Sequence, residues 1–317
     1  MTTTPAAPTV APKNDPRGFA RWIVYQKERF PLLAHGPLVF AFSYSAANYS
    51  RLLRGEADGL PWQNIVAAFG TTLLFFLLLR IADEFKDFED DSRYRPYRPV
   101  PRGLVSLREL AVLGGIAAVA QVGFALWLAP GLLPYLLVVW VYMALMTREF
   151  FVPEWLKAHP VLYMLSHMAI MPLIDLYATA CDWRAAGVSA PHGLVWFLLL
   201  SFGNGMVIEI GRKLRAPEQE ETGVETYTAL WGTRVAPAVW VGAVLLTFGL
   251  ALAAAQAISF LLPVAAILGT LALLAVFAAV RFASAPTPAH AKWFEPIAGV
   301  WTLCLYLSLG ALPQWIH

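Results

Sequence analysis

Long apolar runs are the feature that most constrains what this chain can fold into. Segments of about 20 residues, long enough to span a bilayer, alternate with short segments that carry most of the charge. Hydrophobic residues make up 58% of the 317 residues and charged residues only 14%, a balance too apolar for an ordinary soluble domain. The sequence therefore predicts an all-α integral membrane protein with several transmembrane helices.

Charges, Pro and Gly divide the chain into a tail, an amphipathic segment and nine candidate spans. Residues 1–16, rich in Thr, Pro and Ala, predict a disordered tail, and residues 17–30 predict an amphipathic helix at the membrane interface. Residues 31–317 predict one transmembrane domain. Its candidate spans are 31–50, 62–82, 107–129, 131–147, 160–180, 193–211, 235–256, 258–281 and 293–313.

The distribution of Lys and Arg predicts the orientation of these spans. When the connecting segments are assigned alternately to the two sides, 20 of the 23 basic residues fall on one side. Only Arg51, Arg54 and Arg184 fall on the other. Because cytoplasmic loops are enriched in Lys and Arg, the sequence predicts a protein of the cytoplasmic membrane. Its N-terminus and charged loops would be cytoplasmic, and its C-terminus would lie outside.

The segment after the second span carries regularly spaced carboxylates. Asp83, Asp87 and Asp91 recur every four residues, which stacks them on one helix face if the helix continues past the apolar run. Like charges at this spacing destabilise a helix unless a cation lies between them. Carboxylate oxygens suit a hard cation such as Mg²⁺, which also bridges to substrate phosphates. Glu84 enlarges the anionic patch.

Basic residues follow the carboxylates in a Pro-rich stretch. Arg98 and Arg102, with Arg93 and Arg95 before them, can clamp diphosphate oxygens in bidentate fashion. The alternative is a solvated loop whose arginines merely obey the positive-inside rule. Three carboxylates in helical register at the mouth of a span favour the binding site.

Together these residues resemble the UbiA superfamily of intramembrane prenyltransferases. Its members carry (N/D)-(D/E)-x-x-D-x-x-x-D followed by R-P-x-P-x-G, and this chain has the four acids at 83, 84, 87 and 91 followed by R-P-V-P-R-G at 98–103. The resemblance implies nine transmembrane helices around a central cavity with cytoplasmic loops above it. It also implies that Asp83, Asp87 and Asp91, with Glu84, bind Mg²⁺ ions that bridge to a prenyl diphosphate.

The second charged segment, at 209–232, departs from the family pattern. Family members usually carry D-x-x-x-D followed by a Gly, a short closing helix and a second Gly. Gly223 and Gly232 fit that pattern, but Arg215 and Gln219 stand where the aspartates would fall. The departure leaves open which residues form the second ligand set.

Glutamates are the available replacements for that second acid pair. Glu209 ends the sixth span, so a continuing helix would hold it at the cavity mouth as a metal ligand and catalytic residue. Glu218 and Glu221 are further metal candidates, on a loop that can fold over the diphosphate. An ion pair between Glu209 and Lys213 at i,i+4 is an equally good explanation. Arg212 and Lys213 are candidate diphosphate contacts.

Other polar residues within or near the spans are less specific. By resemblance, Arg148 occupies the position of a basic residue that faces the diphosphate, although it also fits as a positive-inside marker. Asn48, Asn204 and His167 lie within apolar spans. We expect their side chains to face the protein interior and to form hydrogen bonds between helices. Asp175 is expected towards the outer end of the fifth span, far from the carboxylate site.

These features predict a Mg²⁺-dependent prenyltransferase that transfers a prenyl group from its diphosphate to an electron-rich, hydrophobic acceptor. An intramembrane terpene cyclase or another enzyme acting on lipid diphosphates remains an alternative, as does a non-catalytic lipid transporter. Transporters usually place ionisable groups near the bilayer midplane, whereas here the acids concentrate at helix mouths. The expected partners are the prenyl diphosphate, the acceptor and membrane lipid, and a net charge of +2 gives no bias towards nucleic acid.

Overall fold

The computed structural model describes residues 15–56, 58–221 and 224–316, and within them the fold is entirely helical. The α-helices are α1 (Ala20–Arg29), α2 (Leu32–Leu53), α3 (Trp62–Lys86), α4 (Phe88–Tyr94), α5 (Leu107–Leu128), α6 (Leu133–Thr147), α7 (Pro153–Ala158), α8 (Pro160–Met168), α9 (Ile170–Trp183), α10 (Leu194–Gly211), α11 (Tyr227–Ala257), α12 (Leu261–Ser284), α13 (Pro288–Ala291), α14 (Phe294–Gly310) and α15 (Pro313–Ile316). Residues 1–14, most of the predicted tail, lie outside the described residues.

Seven segments of the described chain are long and apolar enough to cross a membrane. They are α3, α5, α6 with the preceding turn, α8 with α9, α10, α11 and α12, and they match the second to eighth predicted spans. Helices α2 and α14 occupy the places of the first and ninth spans. Helix α2 has 22 residues, but serines and Asn48 interrupt its apolar run. Helix α14 has only 17 residues. The prediction of nine spans is therefore confirmed for seven of them.

The long helices pack into one bundle, and small residues set its closest contacts. At the α2–α14 crossing, a Cβ on Gly310 would lie 2.2 Å from the carbonyl oxygen of Ser45, so only Gly fits there. The amide of Asn48 donates to the Gly310 carbonyl at 2.5 Å and accepts from Gln314 at 2.8 Å. These bonds satisfy polar groups that would be costly to bury unpaired, as predicted for Asn48.

The two ends of the bundle differ in chemistry. We call the end that carries residues 86–106, 148–159, 212–221 and 224–226 the charged end. At the opposite end, the buried Asp182 carboxylate accepts two hydrogen bonds from Arg54, at 2.9 and 3.0 Å, and one from Ser50 at 2.8 Å. This compact network joins α2 to α9 away from the carboxylate site.

Helix α1 packs on the charged end through both apolar and ionic contacts. Tyr25 is buried with Ile81, Val100, Leu104 and other apolar residues of α3, α5 and the loop between them. Arg29 forms an ion pair with Glu84, and Arg21 forms one with Glu109. The segment predicted to lie at the interface is thus a helix held against the bundle.

The R-P-V-P-R-G stretch folds into a turn beneath α1. The backbone N–H of Leu104 donates to the Pro99 carbonyl at 2.9 Å, and Gly103 has a φ of +79°, which only Gly adopts without strain. Val100 is buried against α1. Arg102 pairs with Asp15 and Glu28 at 2.7 Å each. The Pro-rich sequence therefore joins α1 to the first charged loop.

Candidate active site

A cavity of about 280 Å³ opens at the charged end of the bundle. Residues of α2, α3, α8, α9, α10 and α14 line it, together with Phe30 before α2. Asp83 and Glu209 stand near the charged end, Phe42, Phe76 and Met171 form apolar walls, and Asn204, Thr302 and Tyr306 add polar groups. An apolar pocket with a few convergent polar groups is typical of a small-molecule site.

The three aspartates of the first charged segment do not share one uninterrupted helix. Helix α3 ends at Lys86, Asp87 has the non-helical angles φ −93° and ψ 6°, and α4 begins at Phe88. The one-turn spacing nevertheless continues, because the Asp87 N–H donates to the Asp83 carbonyl at 2.9 Å and the Asp91 N–H donates to the Asp87 carbonyl at 2.8 Å.

The acids of the first charged segment form two groups with different partners. Asp91 is buried and pairs with Arg95 at 3.2 Å and with Arg98. Glu84 is also buried and pairs with Arg29. Asp83 lines the cavity, 3.5 Å from the guanidinium of Arg80. Glu84 therefore neutralises an arginine of α1 and Asp91 neutralises arginines of the following loop, while Asp83 faces the cavity.

Asp87 is the acid with the least compensation. No ion pair to its carboxylate occurs among the described residues, and burial raises its pKa above the usual range. The neighbouring charges of Asp83 and Asp91 raise that pKa further, whereas Lys86 and Arg98 oppose the shift. An under-neutralised carboxylate next to Asp83 fits a divalent cation, which would relieve the repulsion.

The described residues do not preassemble a complete metal-binding cage. Within them, no group of three or more His, Cys, Asp or Glu side chains lies close enough to hold a metal ion. Asp83 and Asp87 supply two carboxylates, and Mg²⁺ commonly takes one or two carboxylates together with waters and substrate phosphates. The donor set therefore fits an ion that binds with its substrate.

Glu209 lines the same cavity from the end of α10. It is buried, and its carboxylate accepts from Arg212 Nε at 2.7 Å and pairs with Lys213 Nζ at 2.9 Å. The ion pair predicted from the i,i+4 spacing is present, and Arg212 at i+3 adds a second cation. Glu209 thus lines the cavity and also pairs with two cations. Glu209 also holds Arg212 and Lys213 at the cavity mouth.

The loop after α10 does not bring the other glutamates into the cavity wall. Glu218 is exposed within a short turn, Pro217–Gln219, and Glu221 is exposed two residues after that turn. Glu220 instead accepts hydrogen bonds from the hydroxyls of Thr226, at 2.6 Å, and Thr228, at 2.8 Å. Gly223 lies outside the described residues. Gly232, with φ +81°, breaks α11 after a short closing segment, as the family pattern predicts.

Lys86, Tyr163 and Glu149 form a cluster that sequence reasoning missed. The Lys86 ammonium donates to the Tyr163 hydroxyl at 2.7 Å and lies 3.8 Å from Glu149, whose carboxylate is also 3.4 Å from that hydroxyl. Glu149 is followed by Phe150 and Phe151, and all three have positive φ, an uncommon conformation outside Gly. Arg148, the residue predicted instead, is exposed. Lys86 lies between Asp83 and Asp87 in the sequence, and this position could have identified it as a candidate site residue.

Asp175 of α9 contacts a residue of the cavity wall. It is fully buried, and the hydroxyl of Tyr306, a residue of the cavity wall, donates to its carboxylate at 2.7 Å. The sequence predicted a position towards the outer end of the fifth span, and the contact with Tyr306, 131 residues further along the chain, was not predicted.

The sequence matches the model of the UbiA prenyltransferase family over residues 33–307. The chain belongs to the UbiA prenyltransferase family. The match includes both charged segments and every helix that lines the cavity. No curated protein matches the sequence. The UbiA family therefore supplies the general class, an intramembrane prenyltransferase.

Two solved structures share the UbiA fold with this chain. The first comes from work on digeranylgeranylglyceryl phosphate synthase in membranes, with 13% identity, a TM-score of 0.63, and coverage of 92% of this chain and 99% of that one. The second is an apo UbiA homologue from Aeropyrum pernix K1, with 15% identity, a TM-score of 0.64, and coverage of 87% and 96%. At these identities the similarity shows the fold alone.

Proposed function

We propose that this UbiA family member is a Mg²⁺-dependent prenyltransferase that moves a prenyl group from its diphosphate to an electron-rich, hydrophobic acceptor. The observation that carries the proposal is the shared cavity of Asp83 and Glu209, whose walls are otherwise mostly apolar. Function follows from this site and not from the fold, since one fold hosts many reactions.

In this proposal, different residues along the cavity bind the metal, the diphosphate and the prenyl chain. Asp83 and Asp87 would hold Mg²⁺, which supplies positive charge to the departing diphosphate. Arg212 and Lys213, held in place by Glu209, bind diphosphate oxygens at the mouth. Lys86, held by Tyr163, is a third cation beside Asp87. The apolar walls enclose the prenyl chain and keep water from the reacting carbon.

The membrane orientation belongs to the same proposal. The charged end faces the cytoplasm, where a water-soluble diphosphate head can enter, while the prenyl chain stays among the helices. The loop with Glu218 and Glu221 can close over the mouth when substrate binds. An intramembrane terpene cyclase would use the same diphosphate site without an external acceptor.

The test is release of diphosphate by the purified protein from farnesyl or geranylgeranyl diphosphate. We expect release that requires Mg²⁺ and stops in excess chelator. Lipid extracts added to the reaction distinguish the two enzyme classes, because a transferase joins the prenyl group to a second molecule and a cyclase does not. No release from any prenyl diphosphate in Mg²⁺ would favour the transporter.

A further inference from the structure

The polar groups of the cavity wall are not explained by the diphosphate site. Asn204, Thr302 and Tyr306 line the cavity, and each is at most 4% exposed. Asn204 lies five residues before Glu209 on α10, which places it about 7.5 Å further from the charged end. A prenyl chain has no polar atom to offer there. These side chains therefore need another partner.

Asn204 has one amide atom without a partner in the described structure. Its side-chain oxygen lies 3.1 Å from the Thr302 hydroxyl, while its Nδ2 is buried and unpartnered. The Thr302 hydroxyl also lies 2.8 Å from the Ala298 carbonyl, and its single proton serves one acceptor. Rotating the amide by 180° only exchanges the open donor for an open acceptor. A buried, unpartnered amide atom is costly unless a ligand completes it.

Tyr306 is held beside Asn204 by a buried acid. Its hydroxyl donates to Asp175 Oδ2 at 2.7 Å and lies 3.3 Å from the Ser201 hydroxyl. Its ring packs against Phe42, with centroids 4.6 Å apart. Asp175 has no ion pair among the described residues, and its second oxygen is buried without a partner. An acid placed at this depth is expensive and commonly marks a functional site.

We propose that Asn204, together with Tyr306 as positioned by Asp175, binds a hydroxyl group of the acceptor substrate: the open Asn204 amide donates to the hydroxyl oxygen, and the Tyr306 oxygen, whose own proton goes to Asp175, accepts the hydroxyl proton. The acceptor is then a hydrophobic molecule with a hydroxyl group, of which phenols are one example. This inference rests on the proposed function in one respect: it takes the molecule that binds here to be the acceptor substrate. The binding preference itself can be measured without turnover.

The test compares two probes of nearly equal shape, 1-naphthol and 1-methylnaphthalene, on the purified full-length protein. Apparent affinities come from the dependence of melting temperature on probe concentration. We expect the protein to prefer 1-naphthol about tenfold, the effect of one good buried hydrogen bond. Asn204→Leu and Tyr306→Phe should each bring the preference close to one, while Asp175→Asn, which still accepts from Tyr306, should retain most of it.

Asn48→Leu is the matched control, because Asn48 is equally buried but bonds to Gly310 and Gln314 and does not line the cavity. It should lower the melting temperature and keep the preference for 1-naphthol. Equal affinity of the parent protein for the two probes overturns the proposal, as does an unchanged preference in Asn204→Leu. If diphosphate release fails but the preference follows this pattern, the oxygen-binding site stands and the transferase reaction does not.

Discussion

Asp83 and Glu209 lie on the wall of one cavity, although Asp83 is near the end of α3 and Glu209 near the end of α10. The Glu209 carboxylate binds Arg212 and Lys213, whereas Asp83 has Arg80 at 3.5 Å as its nearest countercharge. In the proposed reaction the two acids would therefore serve different ends of one site: Asp83 would supply negative charge for a cation, and Glu209 would position cations for a diphosphate.

Neutralising Asp83 or Asp87 should remove activity without unfolding the protein. We expect Asp83→Asn and Asp87→Asn each to lower diphosphate release at least about a hundredfold, because charge stabilisation of a departing group is worth that much or more. Melting temperatures in chelator should not fall. Asp90→Asn is the control, since Asp90 is exposed on α4. Full activity in either variant would exclude the metal role.

Stability in chelator should depend on pH through Asp87. Its pKa lies above the ordinary 3.8, mainly because of burial, so the folded protein binds this proton more tightly than the unfolded chain. The contribution of this proton to the free energy of unfolding is complete below pH 3.8, and it is lost as the pH rises through the folded-state pKa of Asp87. We therefore expect Asp87→Asn to become more stable than the parent protein as the pH increases to 7.5. A difference in melting temperature that does not change with pH contradicts this.

Glu84 should behave as a structural residue. Its buried carboxylate pairs with Arg29 of α1, and removing one partner of a buried pair costs about 3–5 kcal/mol. Glu84→Gln should therefore lower the melting temperature while the Mg²⁺ concentration for half-maximal activity stays the same. A double-mutant cycle with Arg29→Met should show strong coupling. A weakened Mg²⁺ response at unchanged stability would instead support the metal role predicted from the family pattern.

Glu209 should act on turnover and not only on stability. We expect Glu209→Gln to lower turnover about a hundredfold and to raise the KM for the prenyl diphosphate, because Arg212 and Lys213 lose their anchor. Lys213→Met should raise that KM and leave Mg²⁺ dependence unchanged. Glu225→Gln, at an exposed position, is the control. If Glu209→Gln changes only the melting temperature, Glu209 is an ion-pair residue alone.

The charge distribution also makes a topological prediction. Reporter fusions after Gly103 and Gly232 should report a cytoplasmic location, and a fusion after His317 should report the outside. A cytoplasmic C-terminus would contradict the nine-span topology, and α2 or α14 would then be the helix that fails to cross.

The sequence by itself determined the helical membrane fold, because burial in lipid requires apolar runs whose length can be counted directly. It also identified the family, since Asp83, Asp87 and the R-P-V-P-R-G turn keep a fixed spacing along the chain. Local spacing further predicted the ion pair between Glu209 and Lys213, because residues four apart on a helix are neighbours.

Only the tertiary structure decided which acids face the cavity and which neutralise arginines. Asp91 pairs with Arg98 of the loop after α4, and the packing of α1 brings Arg29 to Glu84 across 55 residues of chain. Tyr306 of α14 donates to Asp175 of α9 across 131 residues of chain. Contacts between distant segments depend on how helices cross, and the sequence of one helix does not show which other helices pack against it.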